Sequence, residues 1–158
     1  MEISLFSTQF PLVFSFSLLT KDYAGALVRK LSHLELDKYY TILLVIEKFN
    51  EEFTQQKLAD FLNIDKASVV RIIDYLTERG YVIRQKNSLD RREHFLVLTD
   101  KAKAILPDID SAVKQLNEVV FENFKEEEQK KFLEALQKIN QNLSHLPLES
   151  VIVNVERV

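Results

Sequence analysis

The chain has no cysteine, only two glycines, and a single methionine at residue 1 of 158. Without cysteine there is no disulfide, thiolate zinc site, thiol nucleophile or thiol redox sensor, and the composition fits a reducing cytoplasm. Gly25 and Gly80 stand far apart, so neither a Walker loop nor a dinucleotide-binding loop can form, because both need glycines clustered at a strand-to-helix turn. Nucleotide-dependent enzymes drop out on that ground. Long apolar runs are missing too. The opening MEISLFSTQFPLVFSFSLL has no Lys or Arg ahead of its apolar part, Pro11 interrupts it, and Lys21 and Asp22 end it. It falls short of the roughly 18 uninterrupted apolar residues of a membrane helix and lacks the basic start of a signal peptide. It reads as a buried surface that finds a partner subunit, with no membrane involved.

The length suits one domain with an ample core. The net charge of −3 hides a division: residues 54–94 carry eight Lys/Arg against six Asp/Glu, giving +2, and the remainder carries 13 against 18, giving −5. The only basic excess lies in one stretch, which favours oriented approach to a polyanion over indiscriminate binding.

Periodicity predicts six helices and one hairpin. Leu12, Phe16, Leu19, Tyr23, Ala26 and Leu27 form a helical stripe over 11–31. Asp37 stands at an N-cap position before KYYTILLVIEKF, whose Tyr40, Leu43, Leu44 and Ile46 predict a mostly buried second helix. Thr54 caps a third helix with Leu58, Ala59 and Leu62 inward, and Asn63 occupies a turn position that wants a left-handed backbone. Asp65 caps a fourth, with Val69, Ile72, Ile73 and Leu76 inward, Lys66, Ser68 and Arg71 outward, and Gly80 as its stop. YVIRQ and HFLVL, joined by KNSLDRRE, predict a hairpin with a cationic tip. Thr99 caps a fifth helix to about residue 124, bent at Pro107, and a sixth starts near Glu126 with Phe132, Leu133, Leu136, Ile139 and Leu143 as its stripe. The tail LPLESVIVNVERV changes to period two, as a short strand or an extended arm.

The fold class is therefore mainly α with a small β-hairpin wing: a winged helix-turn-helix lobe over 36–99, flanked by helical segments over 1–35 and 100–158 within a single domain. A helix presenting its N-terminal end beside a charged hairpin is a device for holding double-stranded DNA. The candidate DNA-binding residues are Thr54, Gln55 and Gln56 at the start of the third helix, Lys66, Ser68 and Arg71 on the fourth, and Arg84, Lys86, Asp90, Arg91 and Arg92 on the wing. Two readings stay open for Arg71, a base or phosphate contact or an intrahelical pair with Asp74 or Glu78. The wing charges hold DNA or merely solvate a hairpin tip, and the lobe as a whole is alternatively a protein-interaction module.

TQQKLADFL, IDKASVVRIIDYLTERGYV and the Asp90-Arg91-Arg92 wing ahead of LVLT resemble the MarR (multiple-antibiotic-resistance regulator) family of bacterial transcription factors over most of the chain. Ala102 and Asn63 depart from that pattern where glycine is usual or common. The resemblance implies a homodimer interlocked through its first, fifth and sixth helices. It also implies a pseudopalindromic operator, usually held by a repressor that a small molecule releases. Arg92 becomes the wing-tip arginine of the minor groove, with Asp90 orienting it, in keeping with the negative potential of a narrow groove. Tyr23, His33, Tyr39 and Tyr40 become candidate effector contacts, although core packing accounts for the same residues.

No catalytic constellation stands out. His33, His94 and His145 fall on different elements without metal-ligand spacing, and the acids of EEEQKK read as a solvated helix start. No enzyme activity, metal or cofactor is predicted.

Overall fold

The computed structural model describes residues 11–34, 36, 39–49, 53–87 and 93–147. Helix α1 spans Leu12–Lys30, as predicted, with Pro11 at its N-cap, where a missing N–H costs nothing. Only Leu27 of this helix is fully buried, while Leu12, Val13, Phe14, Phe16 and Leu19 face outward. A 3-10 turn over Ser32–Leu34 leads towards α2, Tyr40–Phe49. Tyr40, Leu43 and Ile46 of the predicted stripe are buried in α2 and Leu44 is half-buried, with Ile42 buried beside them. The predicted cap at Asp37 lies outside the described residues.

Helices α3, Gln55–Leu62, and α4, Lys66–Glu78, pack against each other across a three-residue turn. Strands β1, Val82–Lys86, and β2, His94–Leu98, form an antiparallel hairpin in which Val82 pairs with Leu98 and Lys86 with His94. On its far side β2 is met by the chain just before α3: the Leu96 N–H donates to the Phe53 carbonyl at 2.7 Å, and Thr54 bridges Phe95. The hairpin is thereby tied to the start of the helix-turn-helix.

Helix α5 runs over Asp100–Val120, continuous through Pro107, and stops four residues before the predicted end, at a turn where Asn123 takes φ 69°. The Thr99 hydroxyl accepts from the Ala102 N–H and donates to the Gly80 carbonyl at 2.7 Å. One side chain therefore caps α5 and holds the base of the hairpin. Helix α5 lies along α1, where the Tyr23 hydroxyl donates to Asn117 Oδ1 at 2.9 Å and Lys30 Nζ to Gln115 Oε1 at 3.2 Å.

The core is one continuous cluster from Leu27 through Leu43, Leu58, Ile73, Leu76 and Leu96 to Ile109 and Leu116, shared by the first five helices and the hairpin. Each fully buried Leu or Ile contributes about 1.5–3 kcal/mol relative to exposure. Helix α6, Glu126–Ser144, supplies nothing to this cluster. Glu128 reaches back to accept from the Lys125 N–H at 2.8 Å, which satisfies one orphan donor at the helix start. Of its predicted stripe, Phe132, Leu133, Leu136 and Leu143 face outward and Ile139 is half-buried. The predicted strand or arm after residue 147 lies outside the described residues.

Candidate nucleic-acid interface

Two caps and one left-handed residue set the helix-turn-helix. Thr54 has an extended backbone, and its hydroxyl accepts from the Lys57 N–H at 3.2 Å. Asn63 adopts φ 51° and ψ 46°, which ends α3 and lets the Ile64 N–H return to the Ala59 carbonyl at 3.1 Å. Asp65 then caps α4, accepting from the Ser68 N–H at 2.8 Å.

The first turns of α4 carry a short relay. The Ser68 hydroxyl donates to Asp65 Oδ2 at 2.6 Å and accepts from Arg71 Nη2 at 2.9 Å. Those bonds from Ser68, with the Arg71 charge nearby, hold the Asp65 carboxyl below its ordinary value. One sequence expectation is corrected here, and one of two open readings is not seen. Ser68 was expected outward, yet it is buried, because its hydroxyl closes the cap. Arg71 pairs with neither Asp74 nor Glu78; it bonds Ser68 one turn back and stays exposed. Lys66, Ala67 and Arg71 face solvent at this end beside the exposed Asp65 cap, which places two cations and one acid at the positive end of the helix.

At the start of α3, Gln56 faces solvent and donates to Asp60 Oδ1 at 2.9 Å, whereas Thr54 and Gln55 turn inward, Gln55 Nε2 lying buried without a hydrogen-bond partner. Of the three, Gln56 is the one whose side chain is offered outward.

On the wing, Lys86 is exposed at the distal end of β1, and beyond it the Asn87 N–H donates to the Glu93 carbonyl at 3.1 Å. Asp90, Arg91 and Arg92 lie outside the described residues. Arg84, a DNA-binding candidate from the sequence, meets Asp74 Oδ1 of α4 through its Nη2 at 2.5 Å. The sequence offered Asp74 as a partner of Arg71 and not of Arg84, because the pairing follows from how β1 packs. Val82 and Arg84 are two residues apart and share one strand face, Val82 is fully buried, and β1 packs on α4, so Arg84 points at that helix.

The four candidate effector residues have different surroundings. Tyr40 is 3% exposed within the core, and burial raises its phenol pKa, helped by Tyr23. Tyr23 bonds Asn117 and is likewise raised by burial. Tyr39 packs on Tyr75 with ring centroids 4.8 Å apart, and His33 is exposed on the 3-10 turn. A cavity of about 380 Å³ lies elsewhere, lined by Phe49, Phe53, Lys57, Asp60 and Phe61. No group of three His, Cys, Asp or Glu gathers among the described residues.

A family model for the MarR family matches residues 36–93, which spans α2, α3, α4, β1 and the wing segment. Among solved structures, a MarR transcriptional regulator from Methanosarcina mazei Go1 shares 25% identity over 83% of this chain and 94% of its own, with a TM-score of 0.76. A crystal structure of MarR shares 26% over 89% of this chain and 96% of its own, also at 0.76. The fold extends to a MarR family transcriptional regulator from Listeria monocytogenes solved with a 26mer DNA, at 24% identity, 85% and 89% coverage and a TM-score of 0.79. The match to the MarR family model covers the helix-turn-helix lobe, and the structural likeness to the two MarR regulators runs on through the flanking helices, so the chain shares the winged-helix fold of these transcriptional regulators.

Proposed function

We propose that this protein regulates transcription by binding, as a homodimer, a pseudopalindromic operator in double-stranded DNA, and that it acts as a repressor in the cytoplasm. The observation that carries the reading is the exposed cationic N-terminus of α4, Lys66 and Arg71, set beside a hairpin fixed to the same helix. A helix presented end-on suits the major groove, and the wing, whose sequence carries Arg92, suits the flanking minor groove. The Listeria relative solved with DNA supports the same use of the fold. The homodimer is supported by the outward apolar faces of α1 and α6, an extent of exposed apolar surface unusual for a monomer.

Two half-sites are then expected about one helical turn apart, roughly 34–36 Å. Selection of bound duplexes from fragmented genomic DNA by the purified protein tests binding and reports the operator together. A recurrent inverted repeat is expected, with affinity falling steeply with salt as phosphate contacts release counterions. Arg71→Ala and Arg92→Ala should each weaken binding. Sequence-indifferent or salt-insensitive binding rejects the proposal in favour of a protein-interaction module. Release from DNA would come from a noncovalent aromatic or lipophilic ligand, since the chain has no thiol to oxidise.

A further inference from the structure

Two ion pairs occur among the described residues, and they differ in kind. Lys131–Glu127 lies within one exposed helix, one turn apart. Arg84–Asp74 joins the middle of β1 to α4. The base of the hairpin is already held, because the Thr99 hydroxyl donates to the Gly80 carbonyl and the Thr99 N–H to the Tyr81 carbonyl. Gly80, with φ 73°, is the joint between α4 and β1. Halfway out, β2 is tied by the Leu96 N–H to the Phe53 carbonyl and by the Thr54–Phe95 bridge, so the flank left to swing is that of β1, a lever hinged at Gly80. Five residues of strand rise about 14 Å end to end, so a swing of ~10° moves the far end by ~2.5 Å, enough to break a hydrogen bond. The Arg84–Asp74 contact sits halfway along that lever.

We infer that Asp74 and Arg84 are positioning residues for DNA recognition: their ion pair fixes the wing against α4, so that hairpin and helix meet the duplex at one set spacing, and Arg84 holds no phosphate. This rests on the DNA-binding reading and adds to it which cation of the wing is structural. Electrostatics sharpens the inference. Asp74 is an acid on the helix that would face DNA, and its removal should by field alone strengthen binding to a polyanion. A clamp demands the reverse.

The test uses the full-length protein as wild type, Asp74→Ala, Arg84→Gln, the double variant and Arg84→Lys, on the duplex recovered by selection. Asp74→Ala and Arg84→Gln should each weaken binding roughly two- to fivefold, the range of a part-exposed ion pair, with the salt slope unchanged. The double variant should be no weaker than the weaker single one, since both remove the same contact. Arg84→Lys should retain most of the affinity. Hydroxyl-radical footprints of the two single variants should lose protection where the wing lies and keep it where α4 lies, a pattern that general destabilisation does not produce. Tighter binding by Asp74→Ala, or a salt slope lowered by about one in Arg84→Gln, would overturn the inference by making Arg84 a phosphate ligand. If the wild type selects no sequence, the regulatory reading fails by itself. The clamp is then judged by hydrogen exchange of the β1 amides, expected to quicken in Asp74→Ala; an unchanged rate sinks it.

Discussion

Asp65 shows how much one side chain settles. It caps α4, orders Ser68 and, through Ser68, holds Arg71 in place on the candidate binding surface. Its carboxyl is held below 3.8 by the Ser68 hydroxyl and N–H first and the Arg71 charge after. A carboxyl whose pKa falls on folding adds stability that is fully present above the unfolded value and is lost as pH drops through the folded one. Asp65→Asn keeps a capping oxygen but cannot titrate. The wild type should therefore unfold at a higher temperature than Asp65→Asn near neutral pH, and the gap should close below about pH 3.8, the unfolded value. Thermal melts from about pH 6 to pH 2 read this directly. A gap that stays constant through the acid range would mean that the charge of Asp65 stabilises nothing.

Among elements, the turns were the most legible feature of the sequence. Thr54, Asp65 and Thr99 each cap the helix predicted for them, and Asn63 and Gly80 each take the left-handed backbone expected at their positions. Local rules suffice there because the backbone and its nearest side chain complete the motif. What the sequence left hidden crosses between elements: the Arg84–Asp74 pair and the inward Ser68 depend on how β1 and the Asp65 cap pack, which helical periodicity does not report. The differing surroundings of Tyr23, His33, Tyr39 and Tyr40 have the same origin, since shared aromatic character says nothing of which way two helices turn. At the turns the expectation is quantitative. Nothing lies within 4 Å of a Cβ added to Gly80, so Gly80→Ala meets no collision and should cost about 1–2 kcal/mol from backbone strain alone. Asn63→Ala should cost somewhat less and Asn63→Gly almost nothing. Denaturant melts of the three variants would disprove this account if Asn63→Gly proved as damaging as Gly80→Ala.

At the scale of the molecule, α6 lies outside the chain's own core. It meets the rest of the chain through an aromatic cluster in which Phe121 lies edge-on to Phe132 and to Phe124, while Leu133, Leu136 and Leu143 stay uncovered. If a second copy covers them, folding and association are one process, and the unfolding temperature should climb with protein concentration. Leu133→Glu with Leu136→Glu should leave a monomer in sedimentation, lower the unfolding temperature and abolish its dependence on concentration. Retention of the wild-type sedimentation coefficient by that variant would place the interface elsewhere.

The tie between β2 and the Phe53–Thr54 backbone bears on the molecule's behaviour in a crowded solution. A two-stranded hairpin ordinarily offers unpaired backbone on both flanks, and such flanks template the addition of strands from other chains. Here the Leu96 N–H is spent on Phe53, so β2 cannot be extended at that point. The remaining flank belongs to β1, five residues long and carrying Arg84 and Lys86. A short, cationic flank is a poor seed for fibrils, so the wing can project towards a ligand without exposing the protein to runaway self-assembly along its sheet.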